Sequence, residues 1–547
     1  MQWPAFTVRP YVCGALGRID AGVLEKLTAA GPKVRPALQT AEAALFSSLP
    51  LAPYHRADHT YAFAWGERRP AGSSEWISVA ETYETPGLIF DGVRTVLHAG
   101  GLGLVDVYYA RVGGAVYFSS LLKPLLDLVP VEIDWHAWAS IIQVTFPLGE
   151  ATPYDQVKRL SGGTALTWAD GRLGTEKRLP RWLRHEPYET WCSAEEIVEL
   201  LHHVYDDYEG RRLLVPVSGG YDSRLLCAVA VARGADVESW TTSPDDGTDT
   251  DISFAKAITR ELGVRHRVIT QDAAAYPGDT LEVGRRLEYM TPHHAWYAPF
   301  AKEVHGAGRM LIDGLAGGPL LKNFMVSGAA LTATTQAERQ AALLSSLSLG
   351  APSQPLLSER ASAWMAETVR EQFAASTSML HGHRAELPLS VLHTRTVRGI
   401  ARSAVNLVGP EASFAAPFIH PEFFDAALSV GVARKDKGRF YREVLHAANP
   451  RVAALPSTNV VKQPLRRVPL RSTAAPAREY SHRMLAQVAA RTPGLLSPGL
   501  RDVVATGPDS LTRFTGWNDR FWIRGLVLFG AWLTDYENDL PELAPPF

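Results

Sequence analysis

The residues best placed to do chemistry are Ser218-Gly219-Gly220-Tyr221-Asp222-Ser223, directly behind the apolar run Leu213 to Val217. Adjacent glycines let main-chain N–H groups converge on one anion, and a following helix N-terminus adds a favourable dipole. Ser218 and Ser223 add hydroxyl donors for phosphate oxygens. Asp222 carries the wrong sign for a phosphate neighbour. A magnesium ion between its carboxylate and a pyrophosphate removes the conflict, because hard cations take carboxylate and phosphate oxygens together. No Gly-Lys-Ser/Thr follows, so this is not a Walker loop, and the chemistry expected is cleavage of ATP between its α and β phosphates to activate a carboxylate as an acyl-adenylate. The structural alternative is a strand-to-helix turn in which glycine serves backbone geometry and serine and aspartate serve capping. The full six-residue pattern behind an apolar strand is more restrictive than such a turn requires.

The elements that must position this loop follow from patterning. Ser193 and Glu196 have capping-box spacing ahead of the helical run Ile197 to Asp207. Strand Leu213 to Val217, helix Arg224 to Arg233, strand Val237 to Thr242, helix Ile252 to Leu262 and strand His266 to Thr270 then alternate. That alternation predicts a parallel sheet with helices on its faces, and ligands of such sheets sit beyond the carboxyl ends of the strands. Upstream, the short runs Thr60 to Trp65, Val105 to Ala110 and Ala115 to Phe118, broken by glycine and proline clusters, predict an antiparallel β-rich domain. Pro147 to Pro187 reads as a turn-rich connection between domains 1–180 and 190–547. From about Glu359 the pattern is mainly helical, and Ala474 to Arg491 reads as a solvated helix.

Composition excludes several classes. A chain of 547 residues exceeds one core and carries ordinary globular proportions, 46% apolar and 20% charged. Lysine plus arginine number 55 against 57 for aspartate plus glutamate, so no global field gathers nucleic acid or anionic lipid. Cys13, Cys192 and Cys227 form no close pair, which argues against a metal knuckle or a disulfide framework. No stretch reaches the roughly 18 apolar residues of a spanning helix. The expectation is a soluble, cytoplasmic protein without nucleic-acid or membrane partners.

The loop and its surroundings resemble the synthetase domain of the asparagine synthetase family. Asp251 and Ala255 match an Asp-x-x-x-Ala helix, and Ile312-Asp313-Gly314-Leu315-Ala316-Gly317-Gly318 is similar to the family's second glycine-rich loop. Ala416-Pro417-Phe418-Ile419 resembles its Pro-Phe-Leu segment, and Leu455-Pro456 through Lys462 its proline-then-lysine segment. Val107-Tyr108-Tyr109 and Tyr117-Phe118-Ser119-Ser120-Leu121 resemble the end of the N-terminal glutaminase-like domain. The resemblance implies an α/β protein: a β-rich, Ntn-type glutaminase-like domain, then a parallel-sheet ATP-pyrophosphatase synthetase domain with a helical C-terminal part. Gln2 stands where family glutaminases expose a nucleophilic cysteine, and Cys13 reads as a buried structural thiol. The first domain is therefore expected to be inactive, with the amine supplied by the substrate.

Two types of member remain under that condition, the β-lactam synthetase and the lasso peptide cyclase. The stretch Arg439 to Pro456 and the helix Trp522 to Leu533 are similar to the cyclase. The implied reaction uses ATP and Mg2+ to adenylate an Asp or Glu side chain of a precursor peptide, then closes a macrolactam with the peptide's N-terminal amine, releasing AMP and pyrophosphate. A leader peptidase and a leader-recognition protein are implied partners. The alternatives are a small-molecule amide or β-lactam synthetase and a non-catalytic peptide-binding relative. The last is open because Gly318-Pro319 replaces the acidic pair of the second loop and Leu315 stands where relatives place a glutamate or tyrosine.

The expected nucleotide site is Val217, Ser218, Gly219, Gly220, Asp222, Ser223, Thr242 and Gly314. Asp222 is the expected metal ligand, and Asp313 either joins it or caps a strand end. Lys462 either opposes charge developing at the attacked carbonyl and the α-phosphate or is a solvated surface lysine. Glu411, Glu288, His294 and the phosphate itself are the candidate proton acceptors. His293-His294-Ala295-Trp296-Tyr297 either lines a peptide pocket or faces the core.

Overall fold

A computed structural model describes residues 10–51, 53, 55–57, 60–65, 85–177, 180–184, 192–409, 412–461 and 466–547. The chain divides into two compact units. One comprises Met1–Ala137, Gly149–Glu186 and Asn538–Pro541, the other Trp138–Leu148, Pro187–Glu537 and Glu542–Phe547.

The first unit holds strands β1 (Val12–Gly17), β2 (Arg35–Gln39), β3 (Ala43–Ser47), β4 (His55–Ala57), β5 (Thr60–Ala64), β6 (Gly87–Phe90), β7 (Arg94–His98), β8 (Tyr108–Val112), β9 (Ala115–Ser119), β10 (Val157–Arg159), β11 (Thr164–Ala169) and β12 (Arg172–Lys177). They form two six-stranded sheets, ordered β10-β8-β9-β1-β3-β2 and β12-β11-β7-β6-β5-β4. The pairings within both are antiparallel. Val12, Leu45 and Phe118 of the first sheet share one core with Leu88, Leu97 and Trp168 of the second, so each sheet turns an apolar face inward. Cys13 is fully buried there, and burial pushes its thiol up to about 11, which makes it structural and inert. The reading of Pro147 to Pro187 as a connection is corrected: this stretch contributes three strands. Gly162 and Gly163 connect β10 to β11 of the other sheet, and Asp170 and Gly171, with φ of 50° and 69°, join β11 to β12 as a two-residue hairpin loop.

The second unit is built on β13 (Arg212–Val215), β14 (Asp236–Thr242), β15 (Arg265–Ile269), β16 (Met310–Ile312) and β17 (Phe414–Ala415). All pair in parallel, in the order β15-β14-β13-β16-β17. Helices α1 (Ala194–Val204), α2 (Asp222–Ala232) and α3 (Thr250–Glu261) alternate with the first strands. The capping box of Ser193 and Glu196 forms at the start of α1. Strand order reverses at β13, with β14 and β15 on one side and β16 and β17 on the other. The loops leaving β13 and β16 must therefore diverge and open a crevice at their carboxyl ends. After β16 come α4 (Gly317–Lys322) and two π-wound segments, Leu392–Ile400 and Arg402–Val408.

The tract read as a solvated helix is α5 (Ala475–Arg491), and it is not solvated on both faces. Ala477, Tyr480, Met484, Leu485 and Val488 are buried, and the helix packs on α6 (Trp517–Asp535). Alanine and arginine content concealed this apolar stripe. Trp138 sets its ring 4.7 Å from Phe529 and 5.6 Å from Trp532 of α6, which places Trp138–Leu148 in the second unit. Among the described residues no helix is long and apolar enough to cross a membrane. Contact between α5 and α6 is closest at Gly530, where an added Cβ would lie 2.2 Å from the Met484 carbonyl oxygen. Gly530→Ala is expected to lower stability by about 1 to 3 kcal/mol, the range for overpacking, in urea unfolding. A wild-type midpoint for that variant would show that the two backbones do not approach so closely.

Candidate active site

The turn behind β13 is tied down by its own side chains. Ser218 N–H donates to Ser223 Oγ at 3.0 Å, Gly220 N–H donates to Ser218 Oγ at 3.2 Å, and the two hydroxyl oxygens are 3.3 Å apart. Gly219 N–H donates to Asp251 Oδ1 at 2.8 Å. The Gly219 carbonyl accepts from Ser457 Oγ at 2.8 Å, Thr458 N–H at 3.0 Å and the Arg224 guanidinium at 3.3 Å. Arg224, fully buried on α2, donates also to the carbonyls of Val452, Leu455 and Pro456. Glycine at 219 lets these side chains close on the turn, since a Cβ would meet Thr458 at 2.6 Å and Asp251 at 2.9 Å and displace them.

Beyond the carboxyl ends of β13, β14 and β16 lies a cavity of about 360 Å³. Val217, Ser218, Asp222, Ser223, Thr242, His294, Asp313 and Gly314 line it, so eight of the expected residues are brought together. Gly219 and Gly220 do not line it, and their N–H groups, expected to grip an anion, are engaged within the turn and by Asp251. Glu288 is also absent from the lining: it lies past the end of the helix Tyr276–Arg286, where the chain turns with φ of 54°. Glu411 and Lys462 lie outside the described residues.

Two carboxylates line this cavity within range of each other's charge. Asp313 extends β16, donating its N–H to the Ala415 carbonyl at 2.8 Å. Burial first, and the nearby Asp222 charge second, push its carboxyl up to about 6 against the opposing Leu315 N–H. Asp222 Oδ1 is buried and makes no hydrogen bond of good geometry among the described residues; the Lys322 ammonium is 3.6 Å away, and the buried Tyr441 hydroxyl faces the same carboxylate. The second glycine loop closes over it: a Cβ on Gly314 would meet Asp222 Cβ at 2.9 Å, and one on Gly317 would meet Asp222 Oδ1 at 3.0 Å. A buried carboxylate oxygen without a donor, beside a second carboxyl, suits a hard divalent cation held by Asp222 and Asp313. No group of three or more His, Cys, Asp or Glu side chains arranged to hold a metal occurs among the described residues, so the remaining ligands would be phosphate and water oxygens.

Lys322, which the sequence reading missed, is the cation beside Asp222. Its ammonium donates to Asn459 Oδ1 at 2.9 Å and lies 5.6 Å from the ring centres of Tyr221, Phe324 and Tyr441. Aromatic faces at that range hold a cation electrostatically. The available signal was a lysine one helical turn past the second glycine pair.

The aromatic pattern 293–297 divides. His294, Trp296 and Tyr297 line the cavity, whereas His293 turns to Thr145 Oγ1 at 2.7 Å. His294 adopts φ of 75° and sets Nε2 3.0 Å from the Gly399 carbonyl. A carbonyl only accepts, so the ring proton is assigned to Nε2, and Nδ1 is left as an acceptor, buried and without a hydrogen-bond partner among the described residues. Burial lowers this imidazole to about 4. At neutral pH it is uncharged and suited to orienting an N–H donor rather than retaining its proton.

The unfolded chain therefore takes up a proton near pH 6.5 that the folded protein refuses until about 4. Stability from His294 is present above the first value and lost as pH falls toward the second, because the unfolded state binds more protons in that window. His294→Gln is expected to flatten this part of the profile in urea unfolding at stepped pH. Identical slopes in the two proteins would refute a neutral, buried imidazole.

No protein-family model matches the chain, and no curated protein does. Among solved structures it is similar to a glutamine phosphoribosylpyrophosphate (PRPP) amidotransferase from B. subtilis complexed with ADP and GMP, at 8% identity over 48% of this chain and 90% of that one, with a TM-score of 0.21. A likeness of that extent leaves function to be argued from the site itself.

Proposed function

We propose that the chain is an ATP- and magnesium-dependent ligase of the asparagine synthetase type, which activates a carboxylate as its adenylate and passes the acyl group to an amine. Within that type we infer a lasso peptide cyclase acting on a precursor peptide. The observation that carries the ligase reading is the buried Asp222 oxygen without a donor, set beside Asp313 where strand order reverses. The inference to a peptide rests on the sequence resemblance, with support from Trp296, Tyr297, Phe300 and Phe324, which offer broad aromatic contact along the cavity.

In this reading Ser218 and Ser223 donate hydroxyl hydrogen bonds to the phosphates, and Lys322 opposes their charge. Magnesium, when bound by Asp222 and Asp313, supplies neutralisation of the pyrophosphate. A carboxylate oxygen of the substrate bonds to the α-phosphorus as the bond to the β-phosphate bridge breaks, and pyrophosphate leaves with that electron pair. The amine nitrogen then bonds to the acyl carbon, AMP leaves with the electrons of the acyl-oxygen bond, and the amine proton departs on the phosphate. His294 Nδ1 accepts a hydrogen bond from the amine and aims its lone pair. Holding both reactants in attack geometry is worth roughly 7 to 11 kcal/mol of barrier.

Release of AMP and pyrophosphate is expected when ATP and magnesium are supplied with a cognate peptide bearing a free N-terminus and an internal Asp or Glu, scored against small amino-acid carboxylates. Asp222→Ala is expected to reduce that release by about 100-fold or more. Undiminished AMP release would end the assignment of the loop, and release with small acids in place of peptides would move the substrate to a small molecule.

A further inference from the structure

The cavity has a second cation that the ligase reading does not use. Arg395 lines it from the π-wound segment Leu392–Ile400, with its guanidinium carbon 5.2 Å from the centre of the Phe324 ring. That same ring lies 5.6 Å from the Lys322 ammonium. The two cations differ in what satisfies them. Lys322 has Asp222 and Asn459, whereas Arg395 has neither an ion pair nor a hydrogen bond among the described residues. Burial lowers its guanidinium to about 10, so it stays charged at neutral pH, half-buried and only partly solvated. A desolvated charge without a counterion is costly, and proteins seldom keep one that a ligand does not complete.

The backbone that carries Arg395 is pinned. Arg398 donates to the Pro147 carbonyl at 3.0 Å, and the Gly399 carbonyl is held by His294. Ile400, five residues on from Arg395 at the bonded spacing of a π-helix, also lines the cavity, so the winding aims both at the same space. Such winding recurs at functional sites. The phosphate end of the cavity has its own donors in Ser218, Ser223 and Lys322. The guanidinium of Arg395, beside the same Phe324 ring as Lys322, adds a planar fork that matches a planar carboxylate, which it can hold by two parallel hydrogen bonds.

We propose that Arg395 receives a carboxylate of the acyl substrate and thereby selects acidic side chains. The proposal rests on the ligase reading for the role of that acid, although the subsite itself can be tested without nucleotide. The probes are N-acetyl-aspartate methylamide and N-acetyl-glutamate methylamide, with the matched asparagine and glutamine compounds and inorganic phosphate, titrated in ligand-observed NMR. Wild-type protein is expected to bind the acids and not the amides. Arg395→Gln is expected to weaken the acids at least tenfold while leaving the affinity for a non-hydrolysable ATP analogue with magnesium unchanged. Arg395→Lys keeps the charge without the fork and is expected to fall between, which preserves the test if the Gln variant does not fold. Equal affinity in wild type and variants overturns the proposal, as does a wild type that takes none of the acids, or a variant that loses the nucleotide or phosphate instead. Should the wild type refuse the nucleotide but still bind acids through Arg395, the ligase reading fails and the subsite stands.

Discussion

Two carboxyl groups within reach of each other's charge, Asp313 shielded and Asp222 with one oxygen buried, are the constraint around which the second unit is arranged. Burial and the Asp222 charge both resist ionisation of Asp313 and, against the Leu315 N–H, push its carboxyl up to about 6. Such a pair persists because the surrounding chain leaves it no other place. Asp313 is fixed by the ladder between β16 and β17, and Asp222 by the first turn of α2. Gly314 and Gly317 allow the second loop to lie directly on the Asp222 side chain, where any Cβ would collide. The strand order supplies the remaining condition, since the loops after β13 and β16 face one crevice only because the sheet reverses between them.

The turn behind β13 is held by a different device. Arg224 sits under it and donates to four carbonyls, joining Gly219 to the segment Val452 to Pro456. Removing that guanidinium would leave the Leu455 and Pro456 carbonyls without it, each at a cost of about 1 to 3 kcal/mol. Above the strut, the Asp251 carboxylate occupies the Gly219 N–H. An internal carboxylate thus fills the place that a phosphate oxygen would take, and a nucleotide that uses this donor must displace it. Burial already raises the Asp251 carboxyl, so its hold on the turn is opposed by its own desolvation.

Much of this was legible in the sequence, and the omissions have physical causes. Alternation of apolar strands and amphipathic helices from Ser193 to Thr270 identified the parallel sheet to within a few residues, because local periodicity there agrees with tertiary burial. The Asp170-Gly171 turn was equally readable as a hairpin signal, but the glycine-rich flanks of β10 and β11 gave the whole stretch the look of a linker. Within the site, Asp222, Asp313 and His294 could be named because each belongs to a short, patterned segment. Lys322 and Arg395 could not. Their significance depends on which groups surround them in space, namely the rings of Tyr221, Tyr441 and Phe324, and those rings lie up to about a hundred residues or more away in the chain.

Under the proposed reaction, the distribution of charge in the cavity decides the form in which a nucleotide would enter. Its ionisable lining is Asp222 and Asp313 against Lys322 and Arg395, with His294 neutral, so it presents no strong net field of either sign. A bare triphosphate would gain from two cations and lose against two carboxylates at close range, where unit charges interact by about 4 kcal/mol even at an effective dielectric of about 20. One divalent cation between the phosphates and the acids reverses the unfavourable half of that balance and provides the ligand that the Asp222 oxygen lacks. The same arithmetic separates the roles of the bases. Lys322 is already committed to Asp222 and can serve only what binds beside it, whereas Arg395 is committed to no carboxylate of the described chain and retains its full charge for a second anion.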